Sequence, residues 1–221
     1  MKPLIIPTLV GGLVISLGIN LLQYQKTQQL ERQVHQSEYD VRSAHHLMDV
    51  EEEYLQMMIG QVRNVAGIEN EFKARHYAQT YIDAANEYHL DARLLLFLAL
   101  VESSFDAHAK SHKGALGMMQ VMPKVWLENI DFIADDKDLM DPYLNIHAGA
   151  HVLRHYLDRA DGNVKLALLM YNRGEGTVNK EILKGLDPSN GFARKILHGR
   201  ALPAKLDRKR GRNAARIAFA Q

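Results

Sequence analysis

The distribution of apolar residues divides the chain into three regions. Residues 3–22 carry no charge and are mostly apolar, and a stretch of roughly twenty such residues can span a bilayer as one helix. Residues 23–69 are mainly polar, with apolar residues at a spacing typical of a long helix. From residue 70, apolar segments at helical spacing alternate with turn-forming residues. This last pattern predicts a compact helical domain over residues 70–199.

The amino-terminal apolar stretch predicts a membrane anchor over residues 1–22, inserted into the cytoplasmic membrane through residues 3–22. The alternatives are a cleaved signal peptide and a buried or disordered segment, but no A-x-A-like cleavage site follows the apolar residues. Lys2 precedes the stretch and Lys26 follows it, so the charges give only weak evidence on orientation.

Residues 23–69 predict a helical stalk with an interrupted heptad pattern. The a positions of this pattern are apolar: Val34, Val41, Met48, Leu55 and Val62. The d positions are mixed and include Ser37 and Glu51, which weakens a coiled-coil seam. Two interpretations fit. The stalk either mediates self-association or contact with subunits of a larger machine, or it is an amphipathic helix that packs on the helical domain.

The helical domain contains one segment that is apolar on nearly all sides. Asp91 is the predicted N-cap of a helix over residues 92–103, which we expect at the centre of the core. Glycines mark a loop after this helix, and Pro123 suits the first turn of the next one. No clear strand pattern is present, so the predicted fold class is all-α. A small hairpin near residues 110–122 remains open.

Composition and charge narrow the classes of function. The 221 residues carry a formal net charge of +1, which argues against nucleic-acid binding as the main function. The chain contains no cysteine, which excludes disulfides, thiolate metal sites and a cysteine nucleophile. Basic residues concentrate in the carboxyl-terminal tail, residues 200–221. This tail is either a solvated segment or a contact for anionic lipid or an anionic wall polymer.

Glu102 is the candidate catalytic residue because it closes the apolar segment over residues 92–103. Burial disfavours the charged carboxylate and raises its pKa, which a general acid working near neutral pH requires. The loop that follows contains glycines and ends at Gln120. A single glutamate at a helix end is usually structural, so the assignment depends on the residues around it.

Those residues match a known pattern. The segment "ESSFDAHAKSHKGALGMMQVMP", residues 102–123, resembles the signature of the family 1 lytic transglycosylases, the soluble-lytic-transglycosylase (SLT) type related to goose-type lysozyme. Three further blocks follow in the order of that family: "DPYLNIHAG", "LLMYNRG" and "FARKIL". The resemblance extends over residues 85–198, about half of the chain.

The resemblance implies a lysozyme-like, mainly α-helical domain that acts on the glycan strands of peptidoglycan. The family cleaves the β-1,4 bond between N-acetylmuramic acid and N-acetylglucosamine and forms 1,6-anhydromuramoyl ends. It implies that Glu102 acts first as acid and then as base, and that Tyr171 hydrogen-bonds to it. It implies neither a cofactor nor a metal. The implied saccharide-binding residues are Ser103, Gly117, Met119, Gln120 and Asn172.

Three positions depart from the family pattern. Met118 replaces a usual leucine, Met170 a usual alanine, and Arg173 a residue that is commonly small. These changes affect the expected shape of the saccharide subsites more than the reaction.

Two other functions stay open at this point. The first is a lysozyme-type hydrolase, which would need a second acid from the connector "DFIADDKDLMD", residues 131–141, or from Asp106. The second is an inactive or weakly active structural component of an envelope-spanning secretion or phage-ejection machine. The implied substrate lies outside the cytoplasmic membrane. The expected location is therefore the inner membrane with the domain in the periplasm, or a phage virion.

Three histidines share one face of a predicted helix. His147, His151 and His155 follow each other at intervals of four residues. A metal site is one interpretation, but the carboxylate partner and the catalytic context of an H-E-x-x-H site are missing. A polar helix face is the interpretation that the sequence favours.

Overall fold

The described part of the chain is helical. The computed structural model describes residues 5–201, with side chains over residues 12–199. In chain order the helices are α1 (Ile5–Ala66), α2 (Glu71–Glu87), α3 (Ala92–Ser103), α4 (Pro123–Trp126), α5 (Pro142–Arg159), α6 (Val164–Arg173), α7 (Glu175–Leu183) and α8 (Phe192–Ala201), with 3-10 turns at Leu127–Asn129 and Asp138–Met140. The helical fold class is therefore confirmed for these residues. Most of the predicted basic tail, residues 202–221, lies outside them.

The segment with the open hairpin question forms two isolated β-bridges. Leu116 pairs with Lys110 on one side and with Val121 on the other, both antiparallel. Neither bridge extends into a strand among the described residues. The segment is therefore a tight loop rather than a hairpin.

The first of two compact units is Met1–Glu53, and its described part is helical throughout. Leu30, Val34, Val41 and Met48 of the heptad pattern are 51–66% exposed. Their association with other chains remains a prediction. Where side chains are described, no helix is long and apolar enough to cross a membrane. This finding does not support the predicted anchor, whose first residues, 1–4, lie outside the described part.

The second unit begins at Tyr54, inside the predicted stalk. Met58 and Val62 are fully buried, and Ile59 nearly so, in the same core as the later helices. The last turns of α1 therefore belong to the globular unit, which starts earlier than residue 70. The heptad residue Val62 is apolar because it packs in this core.

Helix α3 lies at the centre of the second unit, as predicted. Asp91 caps its amino terminus, because its Oδ1 accepts hydrogen bonds from the backbone N–H groups of Arg93 (2.8 Å) and Leu94 (3.3 Å). The helix packs against α2, α5 and α8. Contact with helices on several sides explains why apolar side chains occupy nearly all of its faces.

Helix α5 is the second helix that positions the site. Asp141 caps its amino terminus by accepting from the N–H groups of Tyr143 (2.8 Å) and Leu144 (3.0 Å), and Pro142 occupies the first turn. The helix packs against α2 and α6 and also contacts α3. The buried face of α5 contacts the loop between α3 and α4, because Met119 of this loop lies against Gly149 of the helix.

Candidate active site

Glu102 lies in the last turn of α3, where the apolar helix reaches the surface of the core. Burial raises the pKa of its carboxyl from 4.5 to about 8. Burial is the one cause of this shift, so no neighbouring acid among the described residues adds to it. Glu102 is thus protonated at neutral pH, the state in which a carboxyl group can donate a proton.

This raised pKa predicts a specific pH dependence of stability. The folded protein keeps the Glu102 proton up to about pH 8, whereas the unfolded chain loses it near pH 4.5. The contribution of Glu102 to the free energy of unfolding should therefore be largest below about pH 4.5, fall as the pH rises toward 8, and level off above it. A Glu102→Gln variant has no such proton and should lack this part of the slope. Urea unfolding of both proteins at about pH 5 and about pH 8 measures how much the free energy of unfolding changes between the two pH values. An equal change in wild type and in Glu102→Gln would contradict the burial of Glu102.

The chain leaves α3 through two residues in the left-handed region. Ser104 has φ 55° and Phe105 has φ 64°, both unusual for residues other than glycine. Just before them, the Ser103 hydroxyl lies 2.7 Å from the backbone carbonyl of Met118, to which it donates a hydrogen bond. Ser103 therefore ties the loop to the turn that carries Glu102. Its predicted contact with saccharide stays a prediction.

The loop after α3 is folded tightly around Gly117. Gly117 has φ +75° and donates its N–H to the carbonyl of Ala109 over 2.9 Å. Gln120 has φ 52°, and its side-chain nitrogen donates to the carbonyls of Gly117 (2.9 Å) and Ala109 (3.3 Å). The side-chain nitrogen of Gln120 is thus used inside the loop, and the predicted contact of Gln120 with saccharide stays a prediction.

Asn145 of α5 is hydrogen-bonded to the same loop. Its side chain is fully buried, and its Oδ1 accepts the N–H of Met119 over 2.6 Å. Its Nδ2 donates to the carbonyls of Leu116 (3.1 Å) and Leu139 (2.9 Å). One amide therefore satisfies three buried backbone groups and fixes the loop to α5.

Tyr171 of α6 lies beside Glu102 but hydrogen-bonds elsewhere. Burial is the main cause of its strongly raised pKa, and the charge of Glu102 raises the pKa further. Its hydroxyl donates to the backbone carbonyl of Met119 over 2.7 Å. The hydroxyl of Tyr171 was expected to donate to Glu102, but it donates to the backbone carbonyl of Met119 in the loop instead.

The side chain of Met119 is turned away from the surface. It is fully buried and packs where a Cβ on Gly149 would approach its own Cβ to 2.5 Å. The side chain of Met119 is therefore a core residue, and the predicted contact of Met119 with saccharide stays a prediction. Its backbone N–H and carbonyl instead connect Asn145 to Tyr171.

Asn172 is the most exposed of the predicted saccharide-binding residues. Its Oδ1 accepts a hydrogen bond of 2.8 Å from Asn190. The next residue, Arg173, forms two hydrogen bonds to the carboxylate of Glu181, of 2.6 and 2.5 Å, and a third of 2.7 Å to the carbonyl of Pro188. The unusual arginine thus ties α6 to α7 and to the loop that follows α7.

Residues 79–187 match the model of the family described as "Transglycosylase SLT domain". This domain belongs to the transglycosylase SLT family. The match contains Glu102, the folded loop, Asn145 and Tyr171.

Relatives of the SLT domain come from a phage and from bacteria. The transglycosylase of Enterobacteria phage PRD1 is 37% identical over 111 residues, which cover 48% of this chain and 38% of that protein. Membrane-bound lytic murein transglycosylase C of Haemophilus influenzae is 34% identical over 122 residues, covering 49% and 34%. The chain therefore matches little more than a third of the length of these relatives.

A solved structure also shares the fold of the SLT domain. It is lytic transglycosylase Slt of Pseudomonas aeruginosa, in an inactive mutant with glutamine in place of a glutamate. The two structures align with a TM-score of 0.50 and 26% sequence identity over 55% of this chain and 23% of that one. The similarity supports the lysozyme-like fold that the sequence implied.

The acidic connector before α5 has structural contacts in the SLT domain. Asp138 accepts the N–H of Ala134 over 2.7 Å, Asp135 accepts that of Lys137 over 2.6 Å, and Asp141 caps α5. These are the contacts of turn and cap residues. They give no support to a second catalytic acid in this segment.

The three histidines of α5 lie among aromatic and acidic side chains. His147 Nδ1 is 2.8 Å from Glu87, and the rings of His151 and His155 pack edge-on against Trp126. Burial lowers the pKa of His151, followed by the effect of His155. Over the described residues, no group of three or more possible ligands is placed to hold a metal ion. The contacts fit the polar-face interpretation of these histidines.

Sequence reasoning assigned no role to Asn145, which contributes most to the shape of the site. The available signal was an amide three residues after the first residue of a helix, within the apolar pattern of "DPYLNIHAG". A buried amide in that position needs partners, but only the fold shows that these partners are the backbone groups of the loop.

Proposed function

We propose that the protein is a peptidoglycan lytic transglycosylase. It would cleave the β-1,4 bond between N-acetylmuramic acid and N-acetylglucosamine and leave a 1,6-anhydromuramoyl end. The observation that carries this proposal is Glu102, a carboxyl group at the end of α3 that its partial burial keeps protonated at neutral pH, within an SLT-family domain. Relatives named as murein transglycosylases support the substrate class.

In the proposed reaction, one carboxyl group performs both proton transfers. The Glu102 carboxyl donates its proton to the glycosidic oxygen, so that the N-acetylglucosamine side leaves as an alcohol. The N-acetyl group of the muramoyl residue assists at the anomeric carbon. The Glu102 carboxylate then takes the proton of the C6 hydroxyl, whose oxygen bonds to the anomeric carbon. Glu102 is thereby reprotonated, and no water is consumed.

Two features of the site support a single-carboxyl mechanism over hydrolysis with two acids. No neighbouring acid contributes to the raised pKa of Glu102 among the described residues. The inactive relative, in which a glutamate is replaced by glutamine, supports a required glutamate in this fold. A substrate-assisted reaction differs in this respect from the usual glycosidase with a pair of carboxylates.

The other site residues are proposed to position the reacting groups. Tyr171 and Ser103 hold the loop through the carbonyls of Met119 and Met118, and so fix the wall opposite Glu102. The side-chain amides of Gln120 and Asn172 are proposed to bind the N-acetyl or hydroxyl groups of the sugars. The proposed contact of Gly117 is through its backbone.

Product analysis tests the proposed reaction. Purified sacculi digested with the full chain are expected to release muropeptides that end in 1,6-anhydromuramic acid, each lighter by one water than a hydrolysis product. Mass spectrometry before and after borohydride reduction separates the two kinds, because an anhydro end has no reducing group. Products with reducing ends alone would assign the domain to lysozyme-type hydrolysis instead.

A further inference from the structure

Helix α2 places one buried hydroxyl group against the loop after α3. The side chain of Tyr81 is fully buried, and its hydroxyl oxygen lies 3.2 Å from the sulfur atom of Met118, 37 residues later in the chain. A thioether carries no proton, so the phenol donates this hydrogen bond and the sulfur accepts it. Burial raises the pKa of Tyr81 well above 10.0, with a further effect of Tyr77, so the phenol keeps the proton that it donates.

This hydrogen bond accounts for one departure from the family pattern. Met118 stands where a leucine is usual, and a leucine side chain has no atom that can accept a hydrogen bond from the phenol. A buried hydroxyl group needs a partner. The thioether of Met118 supplies this partner and still packs as an apolar side chain, because Met118 is itself fully buried. Tyr81 and Met118 are therefore a matched pair.

Met118 connects Tyr81 to the turn that carries Glu102. The backbone carbonyl of Met118 accepts the hydrogen bond of the Ser103 hydroxyl over 2.7 Å. Ser103 is the last residue of α3 and directly follows Glu102. The side chain of Met118 is thus held from α2, and its carbonyl is held from α3. Any shift of the Met118 backbone would lengthen or break the bond to Ser103.

We propose, on the basis of the function proposed above, that Tyr81 is a positioning residue for Glu102. Its hydroxyl group holds Met118, the Met118 carbonyl holds Ser103, and Ser103 keeps the last turn of α3 where Glu102 can transfer protons. A misplacement of about 1 Å can cost about a hundredfold in rate. One hydrogen bond to sulfur is weak, so its loss should move the turn by less and lower kcat about fivefold.

The kinetic experiment compares Tyr81→Phe with Tyr77→Phe. Both changes remove one hydroxyl group from α2, but Tyr77 lies one turn earlier, where its ring packs against Tyr143. On soluble glycan strands, Tyr81→Phe should lower kcat about fivefold and leave KM unchanged, because proton transfer is affected and substrate binding is not. Tyr77→Phe should change neither. In a Ser103→Ala background, Tyr81→Phe should cause no further loss, because its connection to Glu102 is already broken.

NMR titration of the Glu102 carboxyl group tests the positioning without any reaction. The full chain carries ¹³C-labelled glutamate carboxyl groups, and the signal of Glu102 is identified by its absence in Glu102→Gln. In wild type its midpoint should lie at about pH 8. Tyr81→Phe should loosen the turn, admit water and lower the midpoint by about one pH unit. Met118→Leu removes the acceptor and should lower it too, whereas Tyr77→Phe should keep the wild-type midpoint.

Several outcomes would overturn the positioning role of Tyr81. They are an unchanged midpoint in Tyr81→Phe, an equal loss of kcat in Tyr77→Phe, a raised KM with unchanged kcat, and an undiminished effect of Tyr81→Phe in the Ser103→Ala background. Urea unfolding checks that each variant is folded. If wild type released no anhydromuropeptides, the proposed reaction would fail, whereas the carboxyl titration would still decide whether Tyr81 positions Glu102.

Discussion

Replacing Glu102 with glutamine is expected to reduce the release of anhydromuropeptides from sacculi by about a thousandfold. Glutamine keeps the size and hydrogen-bonding capacity of the side chain but cannot donate or accept the proton that the proposed reaction transfers twice. Loss of a general acid or base typically costs about 10²–10⁴ in rate. The expected loss of about 10³ lies within this range and above its lower end, because one carboxyl group serves both steps. Timed digestion of sacculi, with products quantified by mass spectrometry, gives the rate.

The matched control is Glu69→Gln, which makes the same chemical change at an exposed position outside the SLT match. This control should keep wild-type activity. The Glu102→Gln variant should be folded, and no less stable than wild type at about pH 8, because it has no buried carboxyl group to ionise. Equal rates of anhydromuropeptide release from wild type and Glu102→Gln would contradict the assignment of Glu102 as the catalytic acid.

Gly117→Ala is expected to have the largest effect on stability. An alanine at φ +75° is strained by about 1–2 kcal/mol. Its Cβ would also overlap with the backbone carbonyl of Leu139 and with the side-chain amide of Asn145, whose Cγ lies 2.6 Å away. Such overpacking adds about 1–3 kcal/mol. Asn145 can yield only by giving up its hydrogen bonds to the loop, so activity should fall together with the free energy of unfolding.

Gly114→Ala is the matched control because it separates strain from overlap. Gly114 lies in the same loop with φ +88°, but a Cβ there meets no atom within 4 Å. It should lose only the strain energy of about 1–2 kcal/mol. Urea unfolding of the two variants measures the difference. If Gly117→Ala cost no more than Gly114→Ala, the loop would not be held against Leu139 and Asn145 as described.

Local features of the helices could be predicted from sequence because their causes are local. Asp91 caps α3 and Pro123 starts α4 as expected, since capping depends on residues within one turn. The boundary between stalk and domain could not be placed in the same way. Heptad positions and core positions are both apolar, so the pattern alone did not show that Met58 and Val62 belong to the globular core.

The contacts of the site residues depend on segments far apart in the chain. Tyr171 was expected to bind Glu102, yet its hydroxyl reaches the carbonyl of Met119, 52 residues away. Met119 was expected in the cleft, yet its side chain is buried beside Gly149. A backbone carbonyl has no residue signature, so no reading of side-chain types could identify it as the partner of the phenol.

The sequence by itself determined which residues carry the candidate chemistry. An acid at the end of an apolar helix, followed by a glycine loop and the later blocks, is enough to single out Glu102, because apolar periodicity and local propensity are properties of neighbouring residues. Only the tertiary structure determined the burial of Glu102 and the pKa of its carboxyl group. The packing of α2, α5 and α8 around α3 buries the carboxyl group and raises its pKa to about 8. Asn145, Ser103 and Tyr171 fix the loop after α3 through backbone groups, whose positions depend on the whole fold.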